Sequence, residues 1–554
     1  MAKNKNKGPA PSPAALRIGK RYRASRVDDD YDALVVGSGP GGLASAVCLA
    51  KMGWKVAVFE QHYTAGGFTH AYGRHGYEWD VGVHYVGDMG STKTLGRKLF
   101  DFLSDRKLRW ADMGEIYDTV YLGEEKFEFP KGEKPLRAAL LDRFPEESAA
   151  IDEYFQLIRS VAKAMRSYSA LKLLPHALVK PLAWLQKRFL LPKEMFETTG
   201  EVLNRLTKNK TLIGILTTQW GDSGLTPEKS SFIIHAVIAR HYLNGGYYPV
   251  GGASQIAETQ LEAIRATGGG VFTYARVDEI LVDEERVTGV RMVDGHVIEA
   301  DTVISGVGAP LTFKRLLPRD LSEQLGYADK LKQVQPSMAH LSMYIGVDLD
   351  NDALGLPKSN YWIYPSEHHD SNVNQFLLNP DADKTTATLP LVYISFPSNK
   401  DPSWADRYPG KTTIEIVAPA KFEWFAHWQN ETWGQRGEDY EQLKEAWSQK
   451  LLAVLYERFP QLEGKIDYYE LASPLSTQFF CEYSTGEIYG LDHTNERFQQ
   501  SWLRPKTKIK GLYLTGQDTV TCGVMGGAMS GFMTAVAILG WSKGRELRNL
   551  LAAY

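Results

Sequence analysis

Residues 33–42 read Ala33-Leu34-Val35-Val36-Gly37-Ser38-Gly39-Pro40-Gly41-Gly42, an apolar run followed by a glycine-rich turn. The apolar run, with Asp32 before it, predicts a short buried strand over residues 32–36. Residues 42–52 predict a helix, and residues 55–59 predict a second strand. The segment therefore forms a strand–helix–strand unit, which places the chain in the α/β class.

The glycines of this turn have the spacing of a dinucleotide-binding motif. Gly37, Gly39 and Gly42 fit the pattern G-x-G-x-x-G. They permit the tight turn, the approach of a pyrophosphate and the packing of the helix on the strand, respectively. Glu60 ends the second strand, 18 residues after Gly42, where its carboxylate can accept a hydrogen bond from a ribose hydroxyl. Because an acid there disfavours a 2′-phosphate, the motif predicts FAD or NAD rather than NADP.

Two further glycine-rich segments favour FAD. Gly66 and Gly67 follow Glu60 closely, which suits a flavin, because its ribityl chain and ring extend further into the protein. Gly516 and Asp518 end another predicted strand near the C-terminus and precede a glycine-rich helix. We expect Asp518 to hold ribityl hydroxyls while the start of that helix faces the pyrophosphate or the flavin.

These segments resemble the FAD-binding amine oxidase and phytoene desaturase superfamily. Further motifs follow along the chain: Glu60-Gln61-His62, Asp80-Val81-Gly82-Val83-His84-Tyr85-Val86-Gly87, His241-Tyr242, Gly245-Gly246-Tyr247-Tyr248-Pro249-Val250-Gly251-Gly252, Phe396-Pro397-Ser398, Lys400-Asp401-Pro402, Phe459-Pro460-Gln461-Leu462-Glu463-Gly464-Lys465, Leu514-Thr515-Gly516-Gln517-Asp518 and Thr521-Cys522-Gly523. Together they resemble the retinol saturase family, in order over most of residues 31–545. The carotenoid isomerases are the next nearest relatives.

The resemblance implies a Rossmann-type FAD-binding domain with an interleaved α+β substrate-binding domain, as in amine oxidases and phytoene desaturases. The predicted division is a disordered basic tail at 1–27, an FAD-binding domain in three parts (28–95, 241–310 and 471–554), a helical substrate- and membrane-facing insertion at 96–240 and a substrate-binding domain at 311–470. The resemblance also implies backbone contacts between Val277 and the adenine. The predicted cofactor-binding residues are Gly37, Gly39, Pro40, Gly41, Gly42, Glu60, Gln61, Gly66, Gly67, Val277, Gly516, Asp518, Gly523 and Val524.

Retinol saturases add two hydrogens across one double bond of a conjugated polyene. This chemistry requires a hydride from reduced flavin and a proton from the opposite side. The candidate proton donors are His84, Tyr85 and Tyr248. The resemblance therefore implies reduction of a retinoid- or carotenoid-like polyene or an unsaturated lipid. A carotenoid cis–trans isomerase, a desaturase or oxidase, and a flavin-holding lipid binder without turnover are the alternatives.

Composition disfavours several other functions. The 63 Lys and Arg against 66 Asp and Glu give a net charge of −3, so no positive field favours nucleic acid. Three cysteines exclude a disulfide framework and fit a reducing compartment. The 13 histidines form no H-E-x-x-H pattern, so no metal site is predicted. A second G-x-G-x-x-G unit for a nicotinamide is absent, which leaves NAD(P)H and a redox protein open as electron donors.

Two segments bear on membranes. Residues 154–193 carry eight Lys or Arg and no acid, interleaved with leucines and aromatic residues, which is compatible with a membrane interface. Residues 520–541 are uncharged, but their glycines favour a buried helix near a ligand over a membrane span. The basic residues 1–27 are followed by no apolar run, so a secretory signal peptide is not predicted. We expect a cytoplasmic protein that is peripheral on a membrane.

Overall fold

A six-stranded parallel sheet, here called the nucleotide sheet, lies at the centre of the computed structural model, which describes residues 16–378 and 387–554. Its strands, in spatial order, are Lys20–Arg21, Gly270–Thr273, Val56–Phe59, Ala33–Val36, Val303–Ser305 and Leu512–Leu514. All five neighbouring pairs are parallel. Both ends and the middle of the chain thus meet in one sheet, and the predicted interleaved α/β class is confirmed.

The first strand of this sheet corrects the predicted disordered tail at 1–27. Residues 16–27 are ordered, because Lys20 and Arg21 pair with Phe272 and Thr273 at the sheet edge. The Ile18 side chain is buried, and its N–H donates to Thr64 Oγ1 at 2.9 Å. Charged side chains are typical of an edge strand. The composition of this basic segment therefore did not distinguish the strand from a disordered tail. Residues 1–15 of the predicted tail lie outside the described residues.

A seven-stranded sheet, here called the substrate sheet, forms the second lobe. Its strands, in spatial order, are Ile466–Ala472, Ala339–Val347, Thr412–Ala420, Val392–Ser395, Asn360–Tyr364, Ile116–Leu122 and Glu125–Pro130. The last two come from the predicted helical insertion at 96–240. Ile116–Leu122 pairs with Asn360–Tyr364, within the segment predicted as a separate domain at 311–470, and Glu125–Pro130 pairs with Ile116–Leu122. The two predicted units therefore share one sheet, which corrects the boundary between them.

Smaller sheets and helices complete the structure. The remaining strands are Ala71–Arg74, Tyr77–Asp80, Val86–Gly87, Trp110–Asp112, Gly246–Pro249, Val277–Asp283, Arg286–Met292 and Val297–Glu299. The α-helices of eight residues or more are Pro40–Ala50, Leu95–Leu103, Glu133–Arg143, Ser148–Ala170, His176–Phe189, Thr199–Leu206, Lys210–Thr217, Phe232–Tyr242, His369–Leu378, Glu438–Arg458, Pro474–Cys481 and Gly523–Ala552. The shorter α-helices are Gln255–Glu258, Leu261–Arg265, Ala309–Leu311, Arg319–Gln324, Tyr327–Leu331, Asn351–Leu354, Pro397–Lys400, Trp404–Arg407 and Asn495–Phe498.

The C-terminal helix Gly523–Ala552 packs on the helix of the glycine turn. Within the described residues it is the one helix long and apolar enough to cross a membrane, yet 61% of its apolar window is buried. A methyl group on Gly531 would lie 2.4 Å from the carbonyl oxygen of Gly41, so only glycine permits this approach. The helical geometry breaks at Gly540, where φ is 71°. This burial supports the interpretation of a core helix.

Candidate active site

A cavity of about 1020 Å³ runs from the glycine turn into the substrate lobe. Gly39, Glu60 and Val277 line its wall at the nucleotide sheet. Trp362 and Tyr393, from the substrate sheet, line the opposite wall. Its volume is at the upper end of the usual range for ligand pockets, which leaves room for a substrate beside a dinucleotide.

The glycine turn has the geometry of an anion site. A methyl group on Gly42 would lie 2.1 Å from the Gly37 carbonyl oxygen, so the turn closes only with glycine there. A methyl group on Gly39 would meet no atom within 4 Å, because that position faces the open cavity. Gly39 is also the N-cap of the helix Pro40–Ala50, and no side chain caps that end. Its N–H groups are therefore available to a pyrophosphate.

Glu60 is held in place by the turn that it faces. Glu60 Oε2 accepts hydrogen bonds from the Ser38 N–H at 2.9 Å and the Ser38 hydroxyl at 2.7 Å. Its Oε1 accepts one from the His62 N–H at 2.9 Å. Each carboxylate oxygen has two lone pairs, so one remains free on Oε1. Because Glu60 lines the cavity, that lone pair can accept a ribose hydroxyl.

Most of the predicted cofactor residues reach the cavity. Those that line it are Gly37, Gly39, Pro40, Gly41, Glu60, Gln61, Gly67, Val277, Gly516, Gly523 and Val524. Gly42 and Gly66 lie behind this wall and shape the turns. The open position at Gly39, the uncapped helix and the anchored acid together fit the pyrophosphate and ribose of FAD.

The structure gives Asp518 a different task from the predicted one. Its Oδ1 accepts the N–H of Leu491 at 3.0 Å, and its Oδ2 accepts the N–H of Ala309 at 2.8 Å. The carboxylate is buried and is not part of the cavity lining. Asp518 therefore ties two loops together behind the cofactor wall, and its placement does not support contact with ribityl hydroxyls.

His84 lines the cavity as a neutral side chain. Its Nδ1 lies 2.9 Å from Glu415 Oε2. Burial, together with the nearby Lys400, lowers the pKa of His84 to about 3. Burial raises the pKa of Glu415 to about 8. An imidazolium is therefore not available at neutral pH, and His84 is disfavoured as the general acid.

Tyr85 lies between two carboxyl groups and lines the cavity. Its hydroxyl is 3.1 Å from Asp118 Oδ2 and 3.3 Å from Asp222 Oδ2. Its ring stacks on Tyr242, with centroids 4.1 Å apart. Burial and the two nearby carboxyls raise the pKa of Tyr85 well above its usual range, so it keeps its proton.

Tyr248 does not reach the cavity, which corrects its prediction as a proton donor. Its hydroxyl donates to Asp80 Oδ2, and the ring is buried behind the wall. Asp80 Oδ1 in turn accepts the Ala253 N–H at 3.0 Å. Because its hydroxyl is committed to this internal pair, Tyr248 positions the Asp80 turn.

Sequence reasoning missed a buried polar network beneath the cavity. Lys400 Nζ donates to the His84 carbonyl at 2.9 Å, to Ser395 Oγ at 2.7 Å and to Asn360 Oδ1. Asn360 Nδ2 then donates to Asp118 Oδ1 at 2.9 Å. Lys400 belongs to a motif that resembles retinol saturases, but neither its spacing nor its pattern indicates that the side chain is buried.

The fold and the cavity define a flavoprotein of the dinucleotide-binding class. A family model described as flavin containing amine oxidoreductase matches residues 40–539. The chain belongs to this family. The predictions of an FAD cofactor and an oxidoreductase are thereby confirmed.

Three named relatives show which kinds of protein the chain is similar to along most of its length. The all-trans-retinol 13,14-reductase of Macaca fascicularis is 35% identical, over 96% of this chain and 89% of its own length. A Danio rerio protein named inactive all-trans-retinol 13,14-reductase is 30% identical, over 94% of this chain and 87% of its own length. The chloroplastic prolycopene isomerase of Daucus carota is 26% identical, over 91% of this chain and 79% of its own length.

A solved structure shares the fold. Wild-type putrescine oxidase bound to putrescine superposes with a TM-score of 0.60 and covers 92% of this chain and 99% of its own. Its sequence identity is 17%, so the likeness concerns the architecture alone. The predicted amine oxidase-like fold is confirmed.

Proposed function

We propose that this protein saturates one carbon–carbon double bond of a retinoid- or carotenoid-like polyene or an unsaturated lipid. The observation that carries the proposal is the single cavity that joins the glycine turn to an apolar chamber. Leu391, Trp362, Tyr393, Val417 and Tyr489 line that chamber. Flat aromatic walls suit a planar conjugated chain. The names of the relatives at 35% identity support the same reaction.

The roles of the chain's own residues follow from the cavity. When bound, reduced FAD supplies a hydride, which adds to one carbon of the double bond. Gly37–Gly41 and Glu60 would hold the pyrophosphate and ribose of the cofactor. The aromatic chamber excludes water and orients the polyene. The proton for the neighbouring carbon comes from the buried cluster around Tyr85.

An anaerobic single turnover tests the proposal. The flavin of the purified holoenzyme is first reduced, and all-trans-retinol or a related polyene is added. We expect the flavin to become oxidised while the product gains two hydrogens by mass spectrometry. Mixing the oxidised enzyme with the same polyene is the control, in which no mass is gained. A flavin that stays reduced against every polyene would contradict the proposal.

A carotenoid isomerase is the second candidate, supported by the 26% identity to a prolycopene isomerase. An isomerase needs reduced flavin but consumes no electrons overall. The same experiment separates the two functions, because an isomerase yields a product of unchanged mass and leaves the flavin reduced. A gain of unsaturation with the oxidised enzyme would instead identify a desaturase.

We further propose that an exposed apolar surface, defined by Trp184, Phe189 and Leu190, rests on a membrane. These three side chains are exposed by 66%, 66% and 69%. Lys187 and Arg188 lie between Trp184 and Phe189 along the chain. The cavity lining includes the exposed cations Arg159, Lys163, Arg166 and Arg548. Basic residues beside exposed aromatic side chains are typical of an interfacial surface on anionic lipids.

Replacing Trp184, Phe189 and Leu190 by serine tests this surface. Full burial of such a side chain is worth about 1.5–3 kcal/mol. Partial insertion of three side chains therefore predicts at least about tenfold weaker binding to vesicles that contain phosphatidylserine. Pelleting of the vesicles measures it. Val293→Ser and Phe479→Ser, at exposed apolar positions elsewhere, form the control. Equal binding of the triple variant and wild type would contradict the proposal.

A further inference from the structure

Two carboxyl groups share one hydroxyl at the wall of the substrate chamber. Asp118 Oδ2 and Asp222 Oδ2 lie 3.1 Å and 3.3 Å from the hydroxyl oxygen of Tyr85. Asp118 comes from the substrate sheet, and Asp222 ends a short helical turn over Thr218–Asp222. Asp222 lines the cavity, whereas Asp118 lies behind it. Of these two carboxyl groups, Asp222 alone can therefore touch a bound polyene.

The hydrogen bonds identify which carboxyl carries a proton. Asp118 accepts from Asn360 Nδ2 at 2.9 Å and from Gln219 Nε2 at 3.0 Å, as an ionised carboxylate does. Within residues 16–378 and 387–554, Tyr85 is the one side chain hydrogen-bonded to the Asp222 carboxyl. A hydroxyl has one hydrogen and can also accept. One hydroxyl hydrogen cannot serve both carboxyl groups, so with Tyr85 donating to Asp118, the 3.3 Å contact is a hydrogen bond only if Asp222 carries the proton.

The surroundings of Asp222 favour the neutral form. The titratable side chains that face it are Tyr85, Tyr242, Tyr364, Tyr393, Tyr489, Cys522 and Asp118. None of these is a cation. Lys400 lies on the side of Asp118, to which it is joined through Asn360. Burial, followed by the charge of Asp118, raises the pKa of Asp222 well above its usual range.

We propose that Asp222 is the general acid of the reaction, and that Tyr85 and Asp118 hold its proton in place. The assignment rests on the proposed saturation of a polyene. As the hydride adds to one carbon of the double bond, the π bond breaks and the neighbouring carbon takes the proton from Asp222 Oδ2. The O–H electron pair stays on the carboxylate, which regains a proton from water before the next turnover.

The test compares Asp222→Asn with Asp118→Asn, both in the flavin-loaded enzyme. Asparagine has the shape of a protonated carboxyl group and can still donate to Tyr85, but it cannot release a proton to carbon. We expect Asp222→Asn to bind flavin normally and to oxidise its reduced flavin with a polyene about 10²–10⁴-fold more slowly. Asp118→Asn keeps the acid itself, so we expect a smaller loss. Tyr85→Phe provides a third variant if either substitution prevents folding.

Infrared spectroscopy gives a readout that does not depend on turnover. A wild-type minus Asp222→Asn difference spectrum should contain the C=O stretch of a protonated carboxyl that shifts in D₂O. Asp118→Asn itself should retain this band, so the wild-type minus Asp118→Asn difference spectrum should lack it. Loss of the band in Asp118→Asn alone, or a turnover rate of Asp222→Asn within threefold of wild type, would overturn the assignment. A wild type that shows the band but reduces no polyene would instead contradict the proposed function.

Discussion

Gly39→Val should purify as a folded but colourless protein. Gly39 has φ of −61° and ψ of 173°, a conformation open to any residue, and its missing side chain would point into free space. Valine therefore costs the fold little, yet its methyl groups fill the volume that a pyrophosphate needs. We expect flavin affinity to fall by several hundredfold, measured as the flavin absorbance retained after gel filtration.

Gly42→Ala provides the contrasting variant, because its methyl group would lie 2.1 Å from the Gly37 carbonyl oxygen. The helix Pro40–Ala50 would have to move away from the strand Ala33–Val36. We expect the free energy of unfolding to fall by several kcal/mol, as for severe overpacking, and soluble protein to be lost. Two results would contradict the anion site. One is a Gly39→Val protein that retains its flavin, and the other is a flavin-free Gly39→Val protein whose melting temperature lies far below that of the flavin-free wild type.

Lys400→Met should destabilise the protein by about 3–5 kcal/mol, because three buried acceptors lose their donor and each unsatisfied group costs about 1–3 kcal/mol. Lys400 is almost completely buried. Its loss leaves the His84 carbonyl, Asn360 and Ser395 without their donor. Urea unfolding of the flavin-free protein measures the change. Lys332→Met, at an exposed ion pair with Asp329, is the control and should cost less than about 1 kcal/mol.

The same substitution has a defined pH signature. Burial lowers the pKa of Lys400 to about 7 in the folded protein, below its usual value. Between pH 7 and that usual value, about 10.4, the unfolded chain binds one proton more than the folded one, so stability rises with pH. Lys400→Met should remove this rise. An unchanged slope of the unfolding free energy between pH 7 and 9 would show that Lys400 is charged in the native state.

Glu415 should act in the opposite direction. Burial raises its pKa from an ordinary glutamate value to about 8, so the folded protein binds the extra proton. Its contribution to stability is present at low pH and is lost as the pH rises towards 8. The two buried groups therefore have opposite slopes, Glu415 below about pH 8 and Lys400 above about pH 7, and comparing Lys400→Met with wild type isolates the Lys400 contribution.

The cofactor half of the site was predictable because its chemistry is local in sequence. Gly37, Gly39, Gly42 and Glu60 lie within one strand–helix–strand unit, so spacing alone brings them together. Asp518 shows the limit of this reasoning. It follows a strand that does end at the cofactor wall, but two backbone N–H groups from distant loops occupy its oxygens. A motif predicts where the chain goes, whereas the packed neighbours determine what each carboxylate binds.

The substrate half depended on contacts between distant segments. Tyr85, Asp118, Asp222 and Lys400 belong to four separate parts of the chain, and their sequence neighbours do not indicate that they meet. The parallel pairing of Ile116–Leu122 with Asn360–Tyr364 sets Asp118 beside Asn360, and thereby beside Lys400. Sequence by itself determined the strand–helix–strand unit and its glycine turn, because steric limits on a tight turn act over a few residues. Tertiary structure alone decided the buried contact of Tyr85 with Asp118 and Asp222, because only folding brings these groups together and removes them from water.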